Sequence, residues 1–254
     1  YIIMLTSIEE EEEVIKAFDA GVDDYVTKPI NIRAFRARLR AAWHYRKLQE
    51  SWERDREQLK RFAAELAVSN RKLEHFALTD VLTELPNRRA GMDALADVWN
   101  VASRSGQSMA VMLIDIDHFK AINDSHGHAI GDKVLKEVAA SIKDIARKGD
   151  TYCRMGGEEF LVICHNGSTD AKSVVHFAER LRQHIDSQDI HVDGVQIRTS
   201  ISIGIALKEV AMKSEDHLIN AADKALYAAK NSGRNKVCMA LGSQFVSCTA
   251  NADS

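Results

Sequence analysis

Only two prolines, Pro29 and Pro86, occur in 254 residues, so little in this chain forbids regular structure. From Ile30 to Phe76 there is neither proline nor glycine, which permits one uninterrupted helix. Cysteine is sparse too: Cys153, Cys164, Cys238 and Cys248 show neither metal-ligand spacing nor a paired framework. They read as small packing residues, and as reduced thiols they fit a cytoplasmic setting. No apolar run approaches the length of a membrane span and no signal peptide is visible, so no membrane partner is expected. A net charge of −3 gives no nucleic-acid signature. The length suffices for one sizeable domain and a smaller one.

What the chain does have is acid placed at turns. Arg154-Met155-Gly156-Gly157-Glu158-Glu159-Phe160 sets two carboxylates directly after two glycines. Before it lies the β-prone run Asp150 to Arg154, and after it the apolar, β-branched Phe160 to Ile163. The pattern predicts a hairpin with glycine at its tip; taken alone, it is equally a solvated acidic turn. Upstream, Met109 to Ile114 is an unbroken apolar run, a strand buried on both faces, that ends in Asp115-Ile116-Asp117. A carboxylate at the end of a buried strand is costly unless paired or metal-bound. Asp115 with Glu158 supplies hard oxygen ligands, and so sparse a set suits Mg²⁺ with retained waters and nucleotide phosphates. The following stretch, 118–132, reads as a loop dense in hydrogen-bonding groups that leads into an amphipathic helix from Lys133.

These two clusters and three further blocks resemble the GGDEF domain of diguanylate cyclases, here in Gly-Gly-Glu-Glu-Phe form. Asp80 to Arg88 resembles the entry motif, and Asp115 to Asp132 the metal and guanine segment. Thr199 to Ala206 resembles the late core strand, and Ala221 to Asn235 the closing helix and phosphate clamp. The blocks run in order over residues 75–240. The resemblance implies condensation of two GTP to cyclic di-GMP and two pyrophosphates, with one GTP per active site and two subunits face to face. On it, Asp115, Glu158 and the main-chain carbonyl of Ile116 would hold Mg²⁺, with Mn²⁺ as the alternative. Glu159 would be a second metal contact or the base that takes the hydroxyl proton. Asn123 and Asp132 would read the guanine edge, since a carboxylate accepts from N1–H and the 2-amino group together, which adenine does not offer. Lys120, Lys230 and Arg234 would bind phosphates; at a helix C-terminus the last two also offset the dipole. Arg147 and Asp150 match the family's product-inhibition site, with Arg180 as a secondary contact; the alternative there is a surface ion pair of little worth. His118, His126 and His128 lie in the guanine segment without an accompanying cysteine, which argues against zinc.

Residues 1–42 alternate strand and helix and resemble the last third of a response-regulator receiver domain. Thr6 would be its switch hydroxyl, Tyr25 its switch aromatic and Lys28 its phosphate-contacting lysine. The phosphate-accepting aspartate would precede Tyr1, so the chain reads as a fragment whose full-length form answers to a histidine kinase. Between 43 and 76, Trp52, Leu59, Leu66 and Leu73 recur every seven residues, with Leu48, Phe62 and Phe76 in the other seam position. Such a repeat predicts a coiled coil and a homodimer; the alternative is an amphipathic helix packed on its own domain. For 77–240 the expected fold is α+β, a mostly antiparallel sheet of the ferredoxin-like or nucleotidyl-cyclase kind with packed helices. A single hairpin is expected over 189–206. The stretch 241–254 reads as a disordered tail. A catalytically silent receptor for cyclic di-GMP is the competing functional reading, and the intact acidic residues weigh against it.

Overall fold

The computed structural model describes residues 1–7, 11–165, 169–192, 194–242 and 244–248, and of residues 74 and 75 the backbone alone. The chain divides into two compact units, Tyr1–Lys72 and Leu73–Ser254.

In the first unit, β1 (Ile3–Thr6) and β2 (Asp24–Thr27) pair in parallel, joined through α1 (Glu11–Asp19). Residues 8–10 of the expected first helix lie outside the described residues. Thr6 is buried and pairs with Thr27, and its carbonyl accepts the Lys28 N–H at 2.8 Å. Leu5, Ile15 and Phe18 remain exposed, as a sheet of two strands has too little surface to cover them. The stretch free of proline and glycine forms α2 (Ile32–Leu78), one helix of 47 residues that crosses the boundary between the units. Its seam is open to solvent: Trp52 is 69 %, Leu59 68 %, Leu66 62 % and Leu73 63 % exposed.

The second unit is a six-stranded sheet between two pairs of helices. In chain order it contains α3 (Arg88–Ser105), β3 (Ala110–Ile116), α4 (Phe119–His126), α5 (His128–Ile145), β4 (Thr151–Gly156) and β5 (Glu159–Cys164). Then follow α6 (Ala171–Ser187), β6 (Ile190–Val192), β7 (Val195–Ile197), β8 (Ile201–Leu207), α7 (Glu215–Asn231), β9 (Val237–Leu241) and β10 (Gln244–Ser247). The sheet order is β10-β9-β8-β3-β5-β4, antiparallel throughout except for the parallel β8–β9 pair. All seven residues of β3 are buried, because the two-residue side-chain period serves both faces. Met112, Ile114, Phe160 and Val162 pack on Val134, Val138 and Ile142 of α5 and Phe177 and Leu181 of α6. Val111, Leu113, Leu161 and Ile163 pack on Leu95 and Trp99 of α3 and Leu218, Ala222 and Leu226 of α7. Each of these side chains larger than alanine contributes roughly 1.5–3 kcal/mol by burial.

Local signals fix the helix ends. The Asn87 side chain accepts from Ala90 N–H at 3.1 Å to start α3, Asp170 does the same for Ser173 N–H in α6, and Gly106 at φ 71 closes α3.

The structure departs from the sequence expectations in three places. The segment taken as a loop from 118 holds α4, and α5 begins at His128. The stretch 189–206 is not one hairpin: β6 and β7 form a two-stranded ribbon, while β8 runs apart from it at the centre of the main sheet. Residues 244–247, expected within a disordered tail, form the edge strand β10 on β9; residue 243 and residues 249–254 of that stretch lie outside the described residues.

Candidate active site

The acidic residues meet where β3 and β5 terminate. Asp115 pairs with Glu159 across the antiparallel ladder, and the Ile116 N–H donates to the Glu158 carbonyl at 3.3 Å. Gly156 and Gly157 form the expected hairpin tip at φ 139 and 54, a backbone that side chains resist. Glu159 is exposed, whereas Asp115 is only 6 % exposed. Burial pushes the Asp115 carboxyl above the ordinary carboxylate range, Glu158 and Glu159 add to the rise, and Lys230 opposes it with an ion pair at 2.7 Å. Lys230 stands in the last turn of α7 and lies on Asp115, so the phosphate role expected for it begins from an ion pair with a residue expected to hold the metal. A cavity of about 520 Å³ opens beside Glu159 and Lys230, lined along α7 by Lys224 and Tyr227. That volume falls within the range of small-molecule sites.

The other expected site residues fall into two groups, and Asp150 precedes Thr151, which pairs with Ile163 at the opposite end of the sheet from Glu159. Lys120 is exposed on α4. Asn123, also on α4, fills the space beside Gly131 of α5: a Cβ built on Gly131 would lie 1.9 Å from Asn123 Oδ1. Asn123 therefore adjoins the residue before Asp132, at the α4–α5 junction. Arg234 is exposed in the turn after α7, at φ 60. Arg147, Asp150 and Arg180 gather around the end of α5. The Arg147 N–H donates to Asp150 Oδ2 at 3.3 Å, its guanidinium reaches the Ser173 carbonyl at 3.4 Å, and Arg180 donates to the Ile145 carbonyl at 2.9 Å. Asp150 Oδ1 is buried with no hydrogen-bond partner among the described residues, and burial pushes this carboxyl above its usual range. A cavity of about 270 Å³ opens beside it, bordered by Lys143 and Tyr152.

Two arrangements were not legible as site features. Arg154, read only as a strand residue, donates to Gly157 O through both Nε (3.0 Å) and Nη2 (2.6 Å) and to Asp80 Oδ1 at 2.9 Å. It thereby ties the turn carrying Glu158 to the entry motif, where Asp80 also accepts from the Thr83 N–H and hydroxyl. Burial would raise the Asp80 carboxyl, but the bonds from Thr83 and Arg154 outweigh it and hold it low. A depressed folded-state pKa adds stability that is complete above the ordinary aspartate value and lost as pH falls through the depressed one. Asp80→Asn is therefore expected to flatten the acid limb of a Tm-against-pH curve below about pH 4; a limb identical to wild type would show that the pair adds nothing. Asp117 is the second such feature. It is buried, and its carboxylate accepts from Ser200 Oγ (2.7 Å), Ser202 Oγ (2.7 Å) and the Asn235 N–H (2.9 Å).

An α+β sheet with this acidic strand-end turn defines the class, and comparison with known proteins gives the family. The family model described as diguanylate cyclase, GGDEF domain, matches residues 77–236. The chain belongs to that family. It is 39 % identical over 179 residues to diguanylate cyclase A of Treponema denticola, covering 69 % of this chain and 48 % of that protein. It is 33 % identical over 241 residues to response regulator PleD of Caulobacter vibrioides, covering 93 % of this chain and 49 % of PleD. The chain thus spans about half the length of the curated relatives it matches. The crystal structure of the coiled coil and GGDEF domain of DgcB from Caulobacter crescentus, in complex with c-di-GMP, superposes with a TM-score of 0.71 at 30 % identity, covering 75 % of this chain and all of that one. Among the described residues no helix is long and apolar enough to cross a membrane.

Proposed function

We propose that this chain condenses two GTP molecules into cyclic di-GMP as a homodimer, as the output portion of a response regulator. The observation that carries the reading is the convergence of Asp115, Glu158 and Glu159 at one sheet end beside Lys230. In the reaction each 3′-hydroxyl oxygen bonds to the α-phosphorus of the other nucleotide while the α–β anhydride bond breaks. Pyrophosphate leaves and the hydroxyl proton passes to a base.

The donor set fits a divalent cation: its oxygens are hard and its negative charge exceeds what one lysine balances. Among the described residues no three His, Cys, Asp or Glu side chains gather into a cage, so phosphate oxygens and water would complete the shell, as Mg²⁺ prefers. Held by Asp115, Glu158 and the Ile116 carbonyl, Mg²⁺ or Mn²⁺ would neutralise phosphate charge. Lys120, Lys230 and Arg234 bind the triphosphate, and Lys230 exchanges its bond to Asp115 for phosphate oxygens. Asn123 and Asp132 accept the guanine edge. Gly131→Ala, by displacing Asn123, is expected to weaken GTP affinity about tenfold, the upper scale of one lost hydrogen bond between neutral groups, without unfolding. Titration calorimetry showing wild-type affinity would remove Asn123 from the guanine site.

Each chain holds one nucleotide, so the second must come from a facing copy, and the exposed seam of α2 is the surface that joins the two. The similarity to PleD over 93 % of this chain supports control of the receiver-like amino-terminal end by an upstream histidine kinase.

Arg147, Asp150 and Arg180 form a product site, with Asp150 Oδ1, unpartnered among the described residues, as acceptor for a guanine N–H. Arg147→Ala is expected to leave initial turnover unchanged and to abolish inhibition by added cyclic di-GMP; inhibition undiminished in that variant would contradict the assignment. Mass spectrometry of the product formed from GTP tests the function itself, and absence of cyclic di-GMP would favour the silent-receptor alternative.

A further inference from the structure

Three consecutive residues after α7 lie at positive φ: Gly233 (112), Arg234 (60) and Asn235 (46). For Arg234 and Asn235 this left-handed backbone is unfavourable and persists only where the surroundings over-determine it. Three contacts do so. The Arg234 N–H donates to the Ala229 carbonyl at 3.1 Å, the Asn235 N–H donates to the buried Asp117 Oδ2 at 2.9 Å, and Arg182 Nη1 donates to Asn235 Oδ1 at 2.7 Å.

Asp117 stands two residues beyond Asp115, and the pair reads from sequence like two ligands of one cation. Its oxygens are already engaged: Oδ1 by Ser202, Oδ2 by Ser200 and Asn235. It acts on the turn instead. Arg182, 8 % exposed on α6, is in turn aligned by Glu179 through its Nε at 3.1 Å. A buried carboxylate from the strand end and a buried guanidinium from α6 thus grip one residue, Asn235, from two sides. The residue so fixed directly follows Arg234.

We infer that Asp117, Asn235 and Arg182 are positioning residues: they lock the turn after α7 so that Arg234 is aimed at the nucleotide's phosphates before substrate arrives. Preorganisation of this kind saves the ordering cost of a long cation on an exposed turn. The inference rests on the proposed binding of GTP, and it concerns the phosphate end alone, not the guanine end.

The test uses the full chain with 3′-deoxy-GTP, which lacks the attacking hydroxyl, so binding is read without turnover, and with guanosine, which lacks phosphates. Asn235→Gly tolerates the positive φ and keeps the N–H to Asp117 while deleting the acceptor for Arg182. It is expected to weaken 3′-deoxy-GTP binding about tenfold, the scale of one hydrogen bond to a charged group, with guanosine binding unchanged in the folded protein. Arg182→Met should produce the same loss, and the double variant no further loss, because both remove one contact. In turnover the effect should fall on KM more than on kcat. Equal weakening for guanosine, or additive losses in the double variant, would overturn the inference. So would wild-type affinity in Asn235→Gly when the parent chain binds 3′-deoxy-GTP. A parent chain that binds neither ligand would instead overturn the nucleotide reading itself.

Discussion

Glu159→Gln is expected to lower the rate of cyclic di-GMP formation by about 10²–10⁴-fold, the range that a positioned acid–base group supplies, while far-ultraviolet circular dichroism and Tm stay at wild-type values. The side chain is exposed and belongs to neither hydrophobic core, so its removal leaves packing untouched. Glutamine keeps the volume and removes only the charge. The two roles open to Glu159 separate in the same variant. If it accepts the hydroxyl proton, added metal restores nothing. If it is a further oxygen donor, activity recovers as Mg²⁺ is raised. Turnover within a few-fold of wild type would remove Glu159 from the chemistry.

The second large effect is structural. Gly204 lies in β8 directly beneath α7: a Cβ there would meet the Ala222 carbonyl oxygen and the Leu226 nitrogen at 2.2 Å each, and the Leu226 Cα at 2.7 Å. All three are backbone atoms, so no side chain can swing aside and α7 itself must lift. Gly204→Ala is expected to cost about 3 kcal/mol, the upper end of ordinary overpacking, and to lower Tm by roughly 10 °C for a unit of this size. Because α7 carries Lys230 and leads into Arg234, GTP affinity should fall in whatever fraction remains folded. A scan that coincides with wild type would mean that the helix–sheet contact is looser than these distances require.

The three buried or central cysteines behave as the sequence suggests. Cys153, Cys164 and Cys238 are buried and free, and burial pushes the thiols of Cys153 and Cys164 up to about 12. Thiols so resistant to ionisation are poor nucleophiles, which leaves them a packing role. Cys153 fills that role against Gly91, where a Cβ would lie 2.0 Å from its Sγ.

Much of this architecture was legible from local pattern. The helix from Ile32 to Leu78 follows from the absence of breakers together with a seven-residue repeat. The β4–β5 hairpin follows from two glycines between β-prone runs. Where the reading failed, the signal was short or shared. α4 has eight residues, no side-chain cap and Phe119 as its one buried residue, so its polar surface imitates a loop. Ile197, Thr199, Ile201, Ile203 and Ile205 alternate without interruption, yet β7 ends at Ile197 and β8 opens at Ile201; periodicity does not record which partner strand each segment takes. Gln244–Ser247 has no periodicity of its own and becomes a strand because β9 offers it an open edge.

By itself the sequence determined the family and the acidic turn, and it marked the residues proposed here to bind metal, guanine and phosphate, because those depend on residue type and spacing along the chain. Only the tertiary structure decided that Lys230 rests on Asp115, that Arg154 fastens the glycine turn to Asp80, that Gly131 makes room for Asn123, and that Asp117 serves the turn at Asn235 rather than a cation. Each of these joins positions far apart in the chain or separated by a helix corner, and hydrogen bonds and close packing are set by distances in space that no local pattern encodes.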